Sequence, residues 1–208
     1  MIELQTKVRN YMSEYRYLHT LSVVNECEKL AGLFDIDSKK LIICAYLHDI
    51  TKEMSTEDQI KLFCEYGDKP TQDTLDSPKT MHAFSAPLLI KKDFPEYADR
   101  TVLQAVKYHC TGRANMNLYD KLLYLADYIE PTRKFKDCIE LRRFFYEGNA
   151  DNKNNGTDTD TDKRNRLDET ILLSLKYTIS DLIKNSMPIH KQTINAYNFL
   201  VTKSGGKK

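Results

Sequence analysis

An adjacent His48-Asp49 pair closes a nearly continuous apolar run that begins at Leu41. Imidazole and carboxylate are both metal ligands. An ionisable pair at the last turn of a buried helix needs compensation, because an unpaired buried carboxylate costs several kcal/mol or takes up a proton instead. A metal ion supplies it. A dipeptide arises by chance, so the pair gains meaning only from the rest of the chain. His19, His82 and His109 fall at or near the core-facing sides of three further expected helices, and Asp127 on a fifth. A single core histidine is ordinarily satisfied by a backbone partner; four of them, together with two aspartates, are much harder to explain that way. Nitrogen and carboxylate ligands without thiolates suit iron, manganese, zinc, cobalt or nickel better than calcium or magnesium. Six such groups exceed the four that a closed structural zinc uses, which points to an open or two-metal catalytic site.

The elements that must position these groups read as helices. Tyr17, Leu21, Val24 and Ala31 recur at three- and four-residue steps, predicting an amphipathic helix over 13–31 that carries His19 and closes at Gly32. Asp37 or Ser38 caps the next, Lys39 to Ile50, whose apolar interior marks it as the central helix. Ser55-Thr56-Glu57-Asp58 resembles a capping box and starts a short helix ending at Gly67, with a polar loop to Ser77. Ser77-Pro78 opens a helix carrying His82 in its second turn, which Pro87 should kink or restart. Val102, Ala105, Val106 and His109 share one face of a helix over 96–109, and Asn117 caps another that bears Asp127 and stops at Pro131. A helix over 137–147 ends at Gly148.

From Asn149 to Arg166 the composition turns to Asp, Asn, Thr, Gly and Lys with a small Thr-Asp repeat, too polar to bury anything; this reads as a flexible, disordered insertion. Two helices, 167–185 and 189–201, follow, with a frayed end over 205–208. No segment alternates like a strand, and no Gly-x-Gly-x-x-Gly occurs. The expected architecture is therefore all-α, a single helical domain with its site built within 13–147.

Composition excludes other classes. Thirty-one basic residues against 30 acidic ones leave no global field toward nucleic acid or an anionic membrane, so an anionic substrate must be held by local groups. No apolar run approaches the roughly 18 residues of a membrane span, and the N-terminus lacks the order of a signal peptide. The five cysteines are scattered, with no Cys-x-x-Cys pair, and read as core or free thiols in a reducing cytoplasm. Nothing forces oligomerisation; a homodimer is left open.

The order His, His-Asp, His, His, Asp in an all-helical chain resembles the HD-domain metal phosphohydrolases, and within them the YqeK-type family of symmetrical bis(5'-nucleosyl)-tetraphosphatases. The likeness rests on Arg16-x-x-His19, Leu47-His48-Asp49-Ile50-Thr51-Lys52, His82, Tyr108-His109-Cys110-Thr111-Gly112-x-x-x-Met116 and Leu125-Ala126-Asp127-Tyr128-Ile129-Glu130-Pro131-x-Arg133, and covers about 16–143. It implies that His19, His48, Asp49 and Asp127 hold a first divalent ion, iron foremost with manganese or zinc as alternatives. Asp49 would bridge to a second ion, while His82 and His109 either ligate that ion or contact substrate phosphate. Lys52 and Arg133 become candidate phosphate clamps, with Thr111, Gly112 and, more weakly, Arg16 beside them. Cys110 stands where this family often has Thr, and the 149–166 stretch is foreign to its pattern. The implied activity is cleavage of diadenosine tetraphosphate into two ADP by a metal-activated hydroxide, with Asp49, Lys52, His82 and His109 at the chemistry. The competing readings are another HD phosphohydrolase, acting on mononucleotides or signalling nucleotides, and a non-catalytic helical interaction module with a structural metal.

Overall fold

The computed structural model describes residues 1–147 and 159–205, and among these every regular element is helical. In chain order they are α1 (Ile2–Arg9), α2 (Glu14–Phe34), α3 (Ser38–Leu47), α4 (Thr56–Glu65), α5 (Gln72–Asp76), α6 (Met81–Asp93), α7 (Arg100–Tyr108), α8 (Leu118–Ile129), α9 (Lys136–Glu147), α10 (Asp160–Lys184) and α11 (Lys191–Gly205). Short 3-10 turns at Pro78–Thr80 and Pro95–Tyr97 precede α6 and α7. None of the described helices is long and apolar enough to cross a membrane.

Local chemistry sets the helix starts. The side chains of Ser13, Asp37, Ser55 and Asp99 each accept from a first-turn backbone N–H of α2, α3, α4 and α7, groups with no partner inside the helix. Asn117 and Asp120 form a reciprocal capping box on α8. Of the two caps expected for α3, Asp37 is the one used. As its composition requires, α3 is central: Leu41 and the run Ile43–Leu47 are buried, and the helix packs against α2, α7 and α8. α4 and α7 then cover α6, and α9, α10 and α11 complete the bundle on the α8 side.

Several boundaries differ from the sequence reading. α2 runs past Gly32 to Phe34, whose ring stacks on Phe145 at 6.5 Å, so an apolar contact carries the helix beyond its glycine. α3 ends at Leu47 rather than at Ile50, leaving Asp49 in a turn closed by Lys52 N–H to Asp49 O at 2.9 Å. The Ser77-Pro78 start yields a 3-10 turn first, which puts His82 in the first turn of α6 rather than its second. Pro87 neither ends nor restarts α6, because the apolar side of the helix, with Ala83, Ala86, Leu89 and Ile90 buried, holds it continuous. α1 and α5 were not expected. α1 docks through only two buried side chains, Leu4 and Val8, with Tyr11 Oη just beyond it donating to Asp93 Oδ2 at 2.9 Å.

The largest correction concerns 149–166. Residues 148–158 lie outside the described part, but the remainder is helix: Thr159 and Asp162 form a capping box on α10, and Lys163 Nζ donates to Leu33 O at 3.3 Å. The Thr-Asp repeat that reads as low complexity is also a helix-start signal, with Asp160 and Asp162 favourably placed at the positive end of the helix dipole. Replacing Thr159 by Ala should therefore lower stability by about 1 kcal/mol, the usual effect of losing an N-cap. Urea unfolding of the two proteins checks this, and an unchanged midpoint would mean that the cap does not hold α10.

Candidate metal centre

Five helices converge where α3 ends. α2 presents His19, the end of α3 His48 and Asp49, the first turn of α6 His82, the end of α7 His109, and α8 Asp127. The four histidines and Asp49 are all buried. Asp49 lies at the middle, with a different set of neighbours on each oxygen. Oδ2 is 2.8 Å from Arg16 Nη1, 3.6 Å from His48 Nε2 and 3.9 Å from His19 Nε2. Oδ1 is 3.2 Å from His82 Nε2 and 3.5 Å from His109 Nε2. On the Oδ2 side Asp127 Oδ1 comes within 3.1 Å of His19 Nε2 and 4.0 Å of His48 Nε2.

The helix ends explain why the rings point inward. His48 and His109 are C-cap residues, and each has Nδ1 on the carbonyl three residues back, Ala45 O at 2.6 Å and Val106 O at 2.7 Å. These carbonyls belong to the last turn, where the usual donor four residues on is missing; Val106 O also accepts the His109 N–H, at 3.5 Å. The contact requires a proton on Nδ1 and so leaves the Nε2 lone pair free toward the centre. His19 is held by Glu130, whose Oε1 is 3.2 Å from Nδ1. Glu130 is itself fully buried and accepts from Thr132 N–H and hydroxyl, both at 2.6 Å. A carboxylate behind an imidazole is the usual device for orienting a metal-binding histidine. The sequence reading assigned Glu130 no role, although it stands three residues after Asp127.

The electrostatics call for a cation. Burial works against charge on Asp49 and Asp127, yet His48 and the other imidazoles around Asp49, and Arg133 with His19 and His48 around Asp127, hold both carboxyls well below their ordinary range. Glu130 is likewise kept ionised against its burial, down to about 2, by His19 and its hydroxyl and backbone donors. Burial opposes charge on His19, but Asp127, Glu130 and Asp49 outweigh it and raise its pKa to about 9. His48, without so close a carboxylate, is pushed down to about 4 by burial. The carboxylates thus favour positive charge at their meeting point, as a proton or as a metal ion, and metal binding displaces the protons.

The donor set fits a divalent metal. His19, His48 and Asp127 form one group of ligand atoms lying within 4.8 Å of one another, His48, Asp49 and His109 a second, and His82, His109 and Cys110 a third. His48 Nε2 is buried and makes no hydrogen bond, and buried His19 Nε2 has only the Asp127 carboxylate, at 3.1 Å and without a well-directed hydrogen bond. A buried polar atom without a partner is costly, and a metal ion would satisfy both. Cys110 corrects the expectation that no thiol bears on the site: its Sγ is 3.2 Å from His82 Nε2 and 3.1 Å from His109 Nε2.

The other expected residues divide. Arg16 and Arg133 reach the centre, the latter with Nη2 2.6 Å from Asp127 Oδ1. Lys52 Nζ lies 3.3 Å from both ring nitrogens of His82. Thr111 and Gly112 are in the packing instead. The Thr111 hydroxyl is fully buried and donates to Gly112 O at 2.9 Å, and Gly112, at φ +64°, lies where a Cβ would stand 3.1 Å from the Ala196 Cβ. This is a helix-terminating turn, not a substrate-facing hydroxyl. Beside His19 opens a cleft of about 590 Å³ walled by Arg16, Arg133, Lys134 and the exposed rings of Tyr15 and Phe135.

A buried His-Asp pair at a helix end, completed by His and Asp from neighbouring helices, defines a class of helical metal hydrolase, and residues 16–132 match the family model for the HD domain. Two curated relatives are similar over nearly the whole chain, both named bis(5'-nucleosyl)-tetraphosphatase, symmetrical. The one from Bacillus subtilis (strain 168) is 32% identical, with 95% of each chain covered. The one from Halalkalibacterium halodurans is also 32% identical, with 93% of each covered. A solved structure titled as a predicted HD superfamily hydrolase involved in NAD metabolism, from Clostridium acetobutylicum, is 30% identical with a TM-score of 0.81, covering 97% of this chain and 96% of that one. The chain belongs to the HD-domain family, and within it to the group that contains these curated tetraphosphatases.

Glu130→Gln keeps the shape of the side chain and removes its charge. It should weaken metal binding by about 10–100-fold while leaving the helical signal intact, as loss of a ligand-orienting carboxylate does. A metal titration of the variant with an unchanged affinity would show that Glu130 does not act through His19.

Proposed function

We propose that the chain is a metal-dependent hydrolase that cuts diadenosine tetraphosphate symmetrically into two ADP. The observation carrying this reading is Asp49, which has ligand-type groups facing both of its oxygens. Alongside His19 lies a cleft that offers both guanidinium and aromatic groups, as a nucleotide requires. A divalent ion held there supplies Lewis acidity toward phosphoryl oxygens and lowers the pKa of bound water from about 15.7 towards about 7. We assign His19, His48, Asp49 and Asp127 to one ion, and His82 and His109, with the other oxygen of Asp49, to a second. Iron is the first choice of metal, with manganese or zinc next, because imidazole and carboxylate predominate.

Arg16 and Arg133 are assigned as phosphate clamps. Each uses a terminal nitrogen on a carboxylate, yet the Nε of each is buried without a hydrogen-bond partner. Both side chains stay partly exposed along the cleft, where a phosphate oxygen would accept with charge assistance from guanidinium N–H groups not used on the carboxylate. Tyr15 and Phe135 give the adenine two exposed rings to stack on, worth about 1–3 kcal/mol per base in comparable contacts. Lys52, beside His82, is assigned to the phosphates on that side. With one ADP half clamped in the cleft, water attacking the second phosphorus in line expels the other half as ADP.

Two measurements test the reading. Hydrolysis of diadenosine tetraphosphate in oxygen-18 water should give two ADP, with label on only one of them, at its terminal phosphate. ATP plus AMP would overturn the symmetrical cut, and turnover of a mononucleotide alone would make this a different HD phosphohydrolase. Asp49→Ala should reduce turnover by at least about a hundredfold with the fold retained, as loss of a group shared by both ligand sets would. Near-normal activity of the metal-loaded variant would remove Asp49 from the chemistry.

A further inference from the structure

The third ligand group sets this chain apart from a site of nitrogen and oxygen donors only. His82 Nε2 and His109 Nε2 face each other at 3.3 Å, and the Cys110 sulfur lies 3.2 and 3.1 Å from them. Asp49 Oδ1 approaches the same two nitrogens at 3.2 and 3.5 Å. A tetrahedral ion bonded to nitrogen at about 2.0 Å and to sulfur at about 2.3 Å sets nitrogens about 3.3 Å apart and sulfur about 3.5 Å from nitrogen. The nitrogen pair meets that spacing, and the sulfur needs to shift by only a few tenths of an ångström. His109 Nδ1 is committed to Val106 O, so its Nε2 carries a lone pair toward the group. Cys110 follows the C-cap of α7 directly, beyond the last helical residue, which lets consecutive side chains turn to one point. Cys27, Cys44 and Cys138, by contrast, are buried in the helical core away from any such set.

We propose that Cys110 is a thiolate ligand at the second metal position, joining His82 and His109. Binding forms one sulfur–metal bond at the expense of S–H, and the thiol proton leaves to solvent. A sulfur donor makes this position softer than the His19, His48 and Asp127 group and favours zinc, iron(II) or cobalt(II) over manganese or magnesium there. The proposal rests on the reading of His82 and His109 as ligands of a second ion.

Cobalt(II) titrated into the full-length protein after chelator treatment tests both layers separately. The expected result is two bound equivalents, one of which brings a near-ultraviolet thiolate-to-cobalt charge-transfer band that Cys110→Ser lacks. In Cys110→Ser the affinity for one equivalent should drop by at least about tenfold, in line with loss of a direct ligand, while the visible cobalt bands of the other persist. Two equivalents in the wild type with no charge-transfer band would overturn the role of Cys110 and leave the two-metal reading standing. A single equivalent would remove the second position itself. Alkylation by iodoacetamide, followed at the Cys110 peptide, gives a further measure: cobalt should suppress labelling there, and equal labelling with and without the metal counts against the proposal.

Discussion

The structure around the candidate centre depends on one buried carboxylate having nitrogen partners on both of its oxygens. Asp49 is almost inaccessible to solvent, and a carboxylate in that position without compensation costs several kcal/mol. Arg16 and His48 face one oxygen, His82 and His109 the other. Three helices beyond the one that leads into Asp49, α2, α6 and α7, are thereby tied to a single residue. The requirement that makes the fold satisfy this carboxylate is the same one that gives the site affinity for cations, since protons and metal ions compete for the surrounding imidazoles.

Delivery of these groups to helix ends has a physical basis. In mid-helix, backbone carbonyls are taken by the helix's own hydrogen bonds, and a ring nitrogen has no acceptor close by. In the last turn they lack that donor four residues on and have capacity for a side chain. His48 and His109 use this in the same manner, each fixed by the carbonyl three residues earlier, so that two helices of different sequence present the same tautomer to the same point. Asp49 and Cys110, one residue further on, lie past the helical residues and can face where a helical side chain would not. Glu130, the C-cap of α8, applies the complementary device and fixes His19 from behind.

What was legible in the sequence was local. The polar caps Asp37 and Asn117, the apolar stretch of α3 and the His-Asp pair are each defined within a few residues; the structure places the caps and the apolar stretch as read, and the pair just past the end of α3 instead of inside its last turn. What was not legible depends on residues distant in sequence. Glu130 meets His19 across 111 positions and Cys110 meets His82 across 28, so neither contact leaves a local pattern. α1 has too few apolar residues to show periodicity and is recognisable only where Leu4 and Val8 are covered. Pro87 was read by its local preference, but packing of α6 on α4 and α7 overrides it. Thr111 had the right chemistry for a phosphate contact; its hydroxyl instead satisfies the carbonyl of Gly112, a use that only the backbone geometry discloses.

The two sides of Asp49 are unequal, and this gives the site a direction. His19, on the Oδ2 side, lines the cleft with Arg16 and Arg133, whereas His82 and His109 on the Oδ1 side are almost fully enclosed. On the proposed reading an anionic chain would therefore meet the guanidinium groups and the first ligand set before the second. Because Arg16 holds Asp49 and Arg133 holds Asp127, each proposed clamp is also part of the charge balance of the ligand set. A phosphate drawing on either guanidinium weakens its hold on the carboxylate and leaves that carboxylate more strongly available to a cation. On the proposed reading, substrate and metal would be coupled favourably through the two arginines, and that coupling would be reciprocal, as linkage between binding free energies requires.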